Sequence, residues 1–401
     1  MKKRIGIMAS DSILLTFLGL VYAWSVFKKP LAAQYGWNDS QLTWTFTICM
    51  FMFCLGGFAG AELSKKLNHR ILTWGCGILI GLAFFAMGFM TALWQLYFLY
   101  GVVIGFSVGI VYNCVLATGN RWFPDKGGLI AGLLLMFFGA GSLFLSPLSN
   151  SLILNFGLKT ALTIIGAIFA VVFILGGFLV ITPNEEESLE LQNLQSKKTE
   201  VKAEVADFAP SEMMKTKAFW LYFFWCVLVS AIGIALLGQI ATISGTVGLD
   251  STKAALMVSL FAVFNGLGRL YFGGFYDKHG RALTMTIFGI GFTLGGLSLV
   301  LGLLKSSIVF VIISFVLFGI AYGGVTPTNA NFARSFFGNA NYATNFSLVN
   351  FNLLLAVFLG QFVGSTLYMK TEGFVASAIA ITILSVISLC LQFLIKKPEK
   401  N

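Results

Sequence analysis

A single positive charge stands in the middle of a long apolar segment of the sequence. Arg269 has no other charged residue in the stretch 254–276. An arginine at the centre of a membrane-spanning helix costs about 2.5–3.5 kcal/mol on insertion scales, so such residues usually serve a function. A guanidinium group can hold a carboxylate through two parallel N–H donors. We therefore predict that Arg269 binds an anionic substrate.

The alternative for Arg269 is a structural ion pair, which requires an acid at the same depth. Asp11, Glu62 and Asp250 lie near the ends of their apolar segments. Four positions before Arg269, one helical turn away, the residue is Asn265. This spacing favours anion binding and makes Asn265 a further candidate binding residue, with an interhelical hydrogen bond as its structural alternative.

Four more residues inside apolar segments are candidates for the same site. Tyr112 and Tyr322 occupy equivalent places in a sequence repeat, and their hydroxyls could contact a carboxylate or hydroxyl group. Phe318 lies one turn before Tyr322, and Asn350 is a polar group in another segment. Their structural alternatives are packing tyrosines, a core or lipid-facing phenylalanine, and an interhelical asparagine.

The composition determines which elements carry these residues. Of the 401 residues, 57% are apolar and 10% are charged, against about 25% charged in soluble domains. This excludes a soluble enzyme, a disordered chain and a disulfide-stapled secreted domain. Since a spanning helix needs about 20 apolar residues, the chain has room for about twelve.

Apolar runs bounded by polar breaks predict twelve transmembrane helices, because a segment in hydrocarbon must satisfy its own backbone. The fold class is therefore an all-α integral membrane protein with two pseudo-symmetric six-helix halves. The halves are residues 1–181 and 218–401, and a polar linker at 182–217 joins them. Spans 1 to 12 lie at 8–28, 41–62, 71–92, 94–118, 128–150, 159–181, 218–243, 252–275, 282–303, 307–330, 343–368 and 373–395.

The basic residues predict the orientation of the spans. Nineteen of the 26 Lys and Arg lie on the side of the N-terminus and six on the opposite side, with Arg269 inside a span. Cytoplasmic loops are enriched in Lys and Arg, so both termini and the linker are predicted to be cytoplasmic. The basic clusters separate apolar runs instead of lining one soluble face, which excludes nucleic acid as a partner.

Matching stretches at a near-constant offset indicate an internal repeat. The stretch 109–112 (Gly-Ile-Val-Tyr) in span 4 recurs 210 residues later at 319–322 (Gly-Ile-Ala-Tyr) in span 10. Parallel six-helix repeats are a known way to build a transporter, with the substrate site at midplane between the halves. Two such halves suffice for a cavity, so a monomer is expected.

Histidine and cysteine give no sign of a metal site or a cofactor. The histidines, His69 and His279, are predicted to lie in polar loops, and the six cysteines in apolar runs are predicted to be buried thiols. Neither set has metal-ligand or disulfide spacing. No metal and no cofactor are therefore predicted.

A charged turn follows span 8, and its residues 273–281 read Gly-Gly-Phe-Tyr-Asp-Lys-His-Gly-Arg. This turn resembles the signature loop of the major facilitator superfamily. The resemblance implies that Asp277, Lys278, Gly280 and Arg281 make interhelical contacts that stabilise one facing state. Arg121 and Asp125, in the loop after span 4, are assigned the same structural role.

Four stretches point to a narrower resemblance. They read Tyr-Ala-Trp-Ser-Val-Phe at 22–27, Asn-Arg-Trp-Phe-Pro-Asp-Lys at 120–126, Phe-Asn-Gly at 264–266 before Arg269, and Phe-Phe-Gly at 336–338 before Asn-Phe at 345–346. Together they resemble the oxalate/formate antiporter family and, more distantly, the monocarboxylate transporters. The resemblance implies transport of small carboxylate anions with Arg269 as the anchor.

Two departures from these families bear on the substrate and on coupling. The oxalate-carrying pattern has a second cation in span 11, where this chain has Leu353. One cation suits one carboxylate, since a second would be buried and unpaired; we expect lactate, pyruvate, formate or a short fatty acid. The monocarboxylate transporters have an aspartate where this chain has Asn265. The coupled ion, a proton or a counter-anion, is left open, with the substrate carboxylate or Asp11 as proton carriers.

Other functions stand as alternatives. A dicarboxylate exchanged for formate would want the second cation, and a drug exporter would want an acid. A transport-like membrane sensor often carries a signalling domain. Membrane depth holds no catalytic constellation for an enzyme, and no phosphate-binding loop supports an ATP-driven pump. Short loops favour a bacterial inner membrane.

Overall fold

The computed structural model describes residues 2–184, 186–188, 190–191, 206–237, 239–371 and 373–398. Within these ranges the chain forms helices and no β-strand. Ten helical stretches in this part of the chain are long and apolar enough to cross a membrane. Two of them, Pro124–Gly177 and Leu256–Leu304, hold two predicted spans each, so the ten stretches accommodate all twelve.

The chain divides into two compact units, Met1–Ala203 and Glu204–Asn401, here called unit 1 and unit 2. The predicted linker at 182–217 is thus shared between them, and it is described only near its two ends.

Unit 1 contains spans 1 to 6. Span 1 is continuous from Lys2–Leu18 through a 3-10 turn at Gly19–Ala23 to Trp24–Tyr35, and span 4 contains a π-helical turn at Tyr97–Ile104. The remaining helices are Asp39–Leu63, His69–Met87, Leu93–Leu96, Gly105–Trp122 and Gly127–Gly177. Asn38 caps the second span through a capping box with Gln41, and Asn68 caps the third.

Unit 2 contains spans 7 to 12. Span 7 ends at Leu237, earlier than predicted, and a short helix Ile240–Thr246 follows it. Span 11 is built from several pieces around a π-helical turn at Phe362–Thr366. The helices are Pro210–Met213, Lys217–Leu237, Ile240–Thr246, Ser251–Leu304, Ile308–Phe337, Tyr342–Asn350, Asn352–Gln361, Leu367–Thr371 and Phe374–Leu391.

Glycines separate the spans that share one long helix. Gly157 stands between spans 5 and 6, and Gly280 stands between spans 8 and 9. Both have φ 76°, in the left-handed region that glycine adopts without strain. These residues reverse the chain without a long loop.

Equivalent helix pairs approach closely in the two units. In unit 1 a Cβ on Gly109 of span 4 would lie 2.1 Å from the carbonyl oxygen of Phe53 in span 2. In unit 2 a Cβ on Gly323 of span 10 would lie 2.1 Å from the carbonyl oxygen of Asn265 in span 8. Small residues at such contacts let helix backbones meet in a membrane. The second contact brings span 10 against Arg269.

Candidate functional site

Arg269 and Asn265 lie one turn apart on span 8 and contact each other. The Arg269 Nε donates a hydrogen bond of 3.1 Å to the Asn265 Oδ1. Both side chains are half-buried. The Asn265 Nδ2 is buried and has no hydrogen-bond partner among the described residues. A neutral amide therefore orients the guanidinium without cancelling its charge.

Span 10 places Tyr322 beside this pair. A Cβ on Gly323 would lie 3.0 Å from the Arg269 backbone nitrogen, so only glycine allows this approach. Tyr322 directly precedes Gly323 in the chain and lies on the same helix. The Tyr322 ring covers Gly233 of span 7, where a Cβ would lie 2.2 Å from the ring. The structure thus brings three predicted site residues, Arg269, Asn265 and Tyr322, together within unit 2.

Asn350 belongs to a separate buried cluster that joins spans 7, 10 and 11. The Asn329 Nδ2 donates to the Asn350 Oδ1 at 3.2 Å. The Asn329 Oδ1 accepts from the Tyr222 hydroxyl at 2.9 Å and from the Cys226 Sγ at 3.0 Å. All four side chains are buried. These contacts are interhelical hydrogen bonds, as the structural alternative for Asn350 supposed.

Phe318 and Tyr112 pack among other aromatic rings. Phe318 is fully buried, and its ring centroid lies 6.1 Å from that of Phe292 in span 9. Tyr112 lies in unit 1, with ring centroids 5.1 Å from Phe53 and 4.9 Å from Phe138. None of these ring contacts is with Arg269.

The turn after span 8 is joined to span 10 by an ion pair. The Arg334 Nη2 donates to the Asp277 Oδ1 at 2.7 Å and to the Asn331 Oδ1 at 3.1 Å. The Tyr276 hydroxyl lies 2.9 Å from the Ser335 Oγ on the same pair of helices. Lys278 is exposed. The signature turn therefore holds two helices together through Asp277.

Arg281 connects the start of span 9 to the end of span 12. Its Nη1 donates to the Gln392 carbonyl oxygen at 2.7 Å. Its guanidinium also lies 6.0 Å from the centre of the Phe336 ring. The positive φ of Gly280 turns the chain immediately before this contact.

The loop after span 4 is bound by the beginning of span 1. The Arg4 Nη2 donates to the Asp125 Oδ1 at 2.8 Å, and the Arg4 guanidinium lies 4.3 Å from the centre of the Phe123 ring. Arg121 is exposed. No pattern in the sequence had linked Arg4 to this loop, because the two lie 121 residues apart.

The end of span 6 and the first linker residues bind unit 1, and the last linker residues bind unit 2. In unit 1 the Trp122 Nε1 donates to the Ile181 carbonyl oxygen at 2.6 Å. Glu187 pairs with Lys3, and this hydrogen bond lowers the pKa of the Glu187 carboxyl. In unit 2 the Asp207 Oδ1 accepts from the Ala340 backbone N–H at 2.9 Å. Residues 192–205 of the predicted linker lie outside the described residues.

Two predictions from the sequence are wrong. His69 does not lie in a loop: it begins the helix His69–Met87, is 2% exposed, and its Nδ1 lies 2.8 Å from the Thr118 Oγ1. Polar neighbours in the sequence hid its burial, which depends on span 4. Cys390, predicted to be buried, is exposed, because an apolar run in a membrane protein also contains lipid-facing positions.

Comparison with known families decides the identity of this helical architecture. The sequence pattern of the family described as the Major Facilitator Superfamily matches residues 12–361 and 226–400 of this chain. The chain belongs to the Major Facilitator Superfamily. A crystal structure of a double-Trp mutant of XylE superimposes with a TM-score of 0.77 at 14% identity, covering 100% of this chain and 98% of that one. The predicted twelve-helix fold is confirmed, and this facilitator is a multi-pass membrane transporter, not an enzyme.

Curated relatives of this facilitator confirm the predicted resemblance. The oxalate:formate antiporter of Oxalobacter formigenes is 29% identical over 333 residues, which are 82% of this chain and 76% of that protein. Monocarboxylate transporter 12 of Mus musculus is 25% identical over 276 residues, which are 63% of this chain and 56% of that protein.

Proposed function

We propose that this transporter moves a small monocarboxylate across the membrane by alternating access, with Arg269 as the carboxylate anchor. The observation that carries the proposal is the Arg269 guanidinium in span 8, oriented by the neutral Asn265 and packed against span 10 at Gly323, the residue after Tyr322. A carboxylate would accept two N–H donors from Arg269. The Tyr322 hydroxyl would contact the same anion or its substituent.

A single anchor favours a substrate with one carboxylate. Span 11 offers no second cation, since Leu353 stands where the oxalate-carrying pattern has one. Its neighbour Asn352 accepts a hydrogen bond of 3.1 Å from Ser230, which is an uncharged contact. A second carboxylate would lose its water without gaining a partner. Lactate, pyruvate, formate and short fatty acids meet this condition.

The setting of this transport is part of the same proposal. The excess of Lys and Arg on one side supports cytoplasmic termini and a cytoplasmic linker at 182–217. A bacterial relative of similar length supports a bacterial inner membrane. The working unit is a monomer, and the anion moves with a proton or against a counter-anion.

Uptake into proteoliposomes tests the anchor. Labelled lactate, pyruvate, formate and oxalate would be offered to wild type, Arg269→Ala and Arg269→Lys. Because a hydrogen-bonded charge contributes about 1.5–3 kcal/mol, Arg269→Ala should lower monocarboxylate uptake about 10-fold to 100-fold. Arg269→Lys keeps the charge but loses the planar fork, so its uptake should lie between the two. Lys305→Ala, which removes an exposed cation at the end of span 9, is the matched control.

Two results would overturn the proposal in different ways. Normal monocarboxylate uptake by Arg269→Ala would make Arg269 structural. Transport of oxalate alone, exchanged for formate, would establish the second candidate function, which the 29% identity to the oxalate:formate antiporter supports.

A further inference from the structure

Asp11 is a fully buried acid in the first helix of the chain. Its side chain is 0% exposed, and within the described part of the chain neither carboxylate oxygen has a hydrogen-bond partner. Among the acids whose side chains the structure describes, Asp11 alone is buried. It lies seven residues after Arg4, which places it about 10 Å further along the helix.

Two hydroxyl groups on the same helix as Asp11, those of Ser10 and Thr16, donate to other acceptors. The Ser10 Oγ donates to the Gly176 carbonyl oxygen of span 6 at 3.0 Å. The Thr16 Oγ1 donates to the Ser12 carbonyl oxygen of its own helix at 2.8 Å. These bonds satisfy the neighbouring hydroxyls and leave the carboxyl without them.

No cation balances Asp11 in the described structure. Arg4, the nearest arginine on the same helix, is held by Asp125 at 2.8 Å. Within unit 1 the helix Lys2–Leu18 packs mainly against spans 4, 5 and 6. The titratable side chains on the packed helices are Tyr112, Cys114, Arg121 and Lys159, and among the described residues none of them makes a hydrogen bond to the Asp11 carboxyl.

A carboxylate anion that is shielded from bulk solvent and has neither hydrogen-bond donors nor a counter-charge is far less stable than the neutral acid. The surroundings of Asp11 therefore select the protonated form in the conformation described. Span 8 cannot supply such a group beside the anchor, because the residue next to Arg269 is Asn265. A buried acid that can hold a proton is instead present in unit 1, at Asp11.

We propose that Asp11 is the proton-binding site that couples proton movement to monocarboxylate transport. This rests on the proposed function of Arg269. In the buried state Asp11 is COOH; when span 1 becomes hydrated it releases H⁺ to water and is left as COO⁻, and it takes up H⁺ from water on the opposite side of the membrane. One proton moves with one anion, so the cycle carries no net charge.

Infrared spectroscopy tests the protonation of Asp11 without any substrate. Difference spectra between wild type and Asp11→Asn in proteoliposomes at neutral pH should show the C=O stretch of a protonated carboxylic acid in wild type only. The proposal would be overturned if the band that is lost in Asp11→Asn were that of an ionised carboxylate, whatever the protein transports.

Transport measurements test whether this proton is coupled. The ratio of proton-gradient-driven lactate uptake to lactate counterflow is compared between variants. Asn mimics the neutral acid but carries no proton, so this ratio should fall about tenfold or more in Asp11→Asn. Asp11→Glu, which retains an acid, should recover part of it. Asp250→Asn, a change at an exposed helix cap that asparagine also fills, is the matched control.

The outcomes separate this inference from the proposed function. Lactate counterflow in Asp11→Asn would show that the variant is folded. If its ratio of proton-gradient-driven uptake to counterflow then equals that of wild type, Asp11 does not couple protons to transport, and the proposed monocarboxylate transport is unaffected. If wild type takes up none of the tested monocarboxylates, the proposed function fails, and the infrared band still decides whether Asp11 holds a proton.

Discussion

At the scale of single residues, Asn265 orients the Arg269 guanidinium. Its Oδ1 takes the Nε hydrogen bond at 3.1 Å, a contact that an acid at the same position would turn into an ion pair. An amide fixes the geometry without itself neutralising the guanidinium, as the proposed anchor requires. If Arg269 is the carboxylate anchor we propose, the residue at 265 determines how strongly a substrate has to compete for the guanidinium.

An acid at this position should weaken substrate binding. In Asn265→Asp the new carboxylate lies within hydrogen-bond distance of Arg269 and competes with the substrate. We expect the KM for a monocarboxylate to rise about tenfold at neutral pH and to fall again as the pH is lowered and the aspartate is protonated. Initial uptake rates over a range of substrate concentrations and pH values measure this.

Asn265→Ala is the comparison variant, since it removes the orienting bond without adding a competitor. Its KM should rise less than that of Asn265→Asp and should not recover at low pH. Equal KM values for the two variants, at every pH, would mean that residue 265 acts only by orienting the arginine.

Predictability differs sharply between individual residues. Arg269 could be found from the sequence because one charge in a long apolar run has a large energetic consequence by itself. The partners of Asn350 could not, because Asn329 and Tyr222 become significant only when spans 7, 10 and 11 meet. The isolation of Asp11 is likewise a property of three packed helices, and no spacing in the sequence reveals it.

At the scale of elements, the reversals inside the long helices depend on two glycines. Gly280 has φ 76° and separates span 8, which carries Arg269, from span 9. The next residue, Arg281, binds the Gln392 carbonyl oxygen at 2.7 Å. The direction of the chain at Gly280 thus sets a contact with span 12 as well as the length of span 8.

Gly280→Ala should therefore destabilise the protein. Nothing lies within 4 Å of a Cβ built at this position, so the expected loss of about 1 kcal/mol arises from the positive φ alone. Gly75→Ala is the control, because Gly75 lies in the helix His69–Met87 with equally open surroundings and without a positive φ. Thermal unfolding in detergent should show a lower Tm for the first variant only; equal Tm values would contradict this explanation.

The spans themselves were predictable, because about 20 apolar residues are needed to cross a bilayer and the polar breaks bound them. Their internal irregularities were not. The π-helical turns at Tyr97–Ile104 and Phe362–Thr366 lie in stretches whose composition is that of an ordinary helix. Span 7 likewise ends at Leu237, although apolar residues resume after Gln239 and recur as far as Ile243.

At the scale of the whole molecule, each unit makes hydrogen bonds to the chain segment on its own side of the linker. The Trp122 Nε1 donates to the Ile181 carbonyl oxygen in unit 1, and Phe208 accepts a hydrogen bond from Asn345 at 3.1 Å in unit 2. Trp122 lies at the end of the helix Gly105–Trp122 in span 4, and Asn345 lies in the helix Tyr342–Asn350 at the start of span 11.

Trp122→Phe should weaken the closure of unit 1. The ring volume is largely kept, but Ile181 loses a buried donor, so we expect a loss of about 1 kcal/mol in the free energy of unfolding. Trp44→Phe is the control, since Trp44 is 53% exposed. Denaturant unfolding followed by circular dichroism measures both. Similar losses of unfolding free energy in the two variants would show that the hydrogen bond from Trp122 to Ile181 does not stabilise the protein.

The two closures also differ in when they can form during synthesis. Ile181 follows Trp122 by 59 residues, so the partners in unit 1 are both present soon after span 6 has been made. Asp207 precedes Ala340 by 133 residues and has to wait until span 10 has been completed. During translation the contact in unit 1 can therefore form soon after span 6 is complete. In unit 2 the first segment remains without its partner while most of that unit is translated.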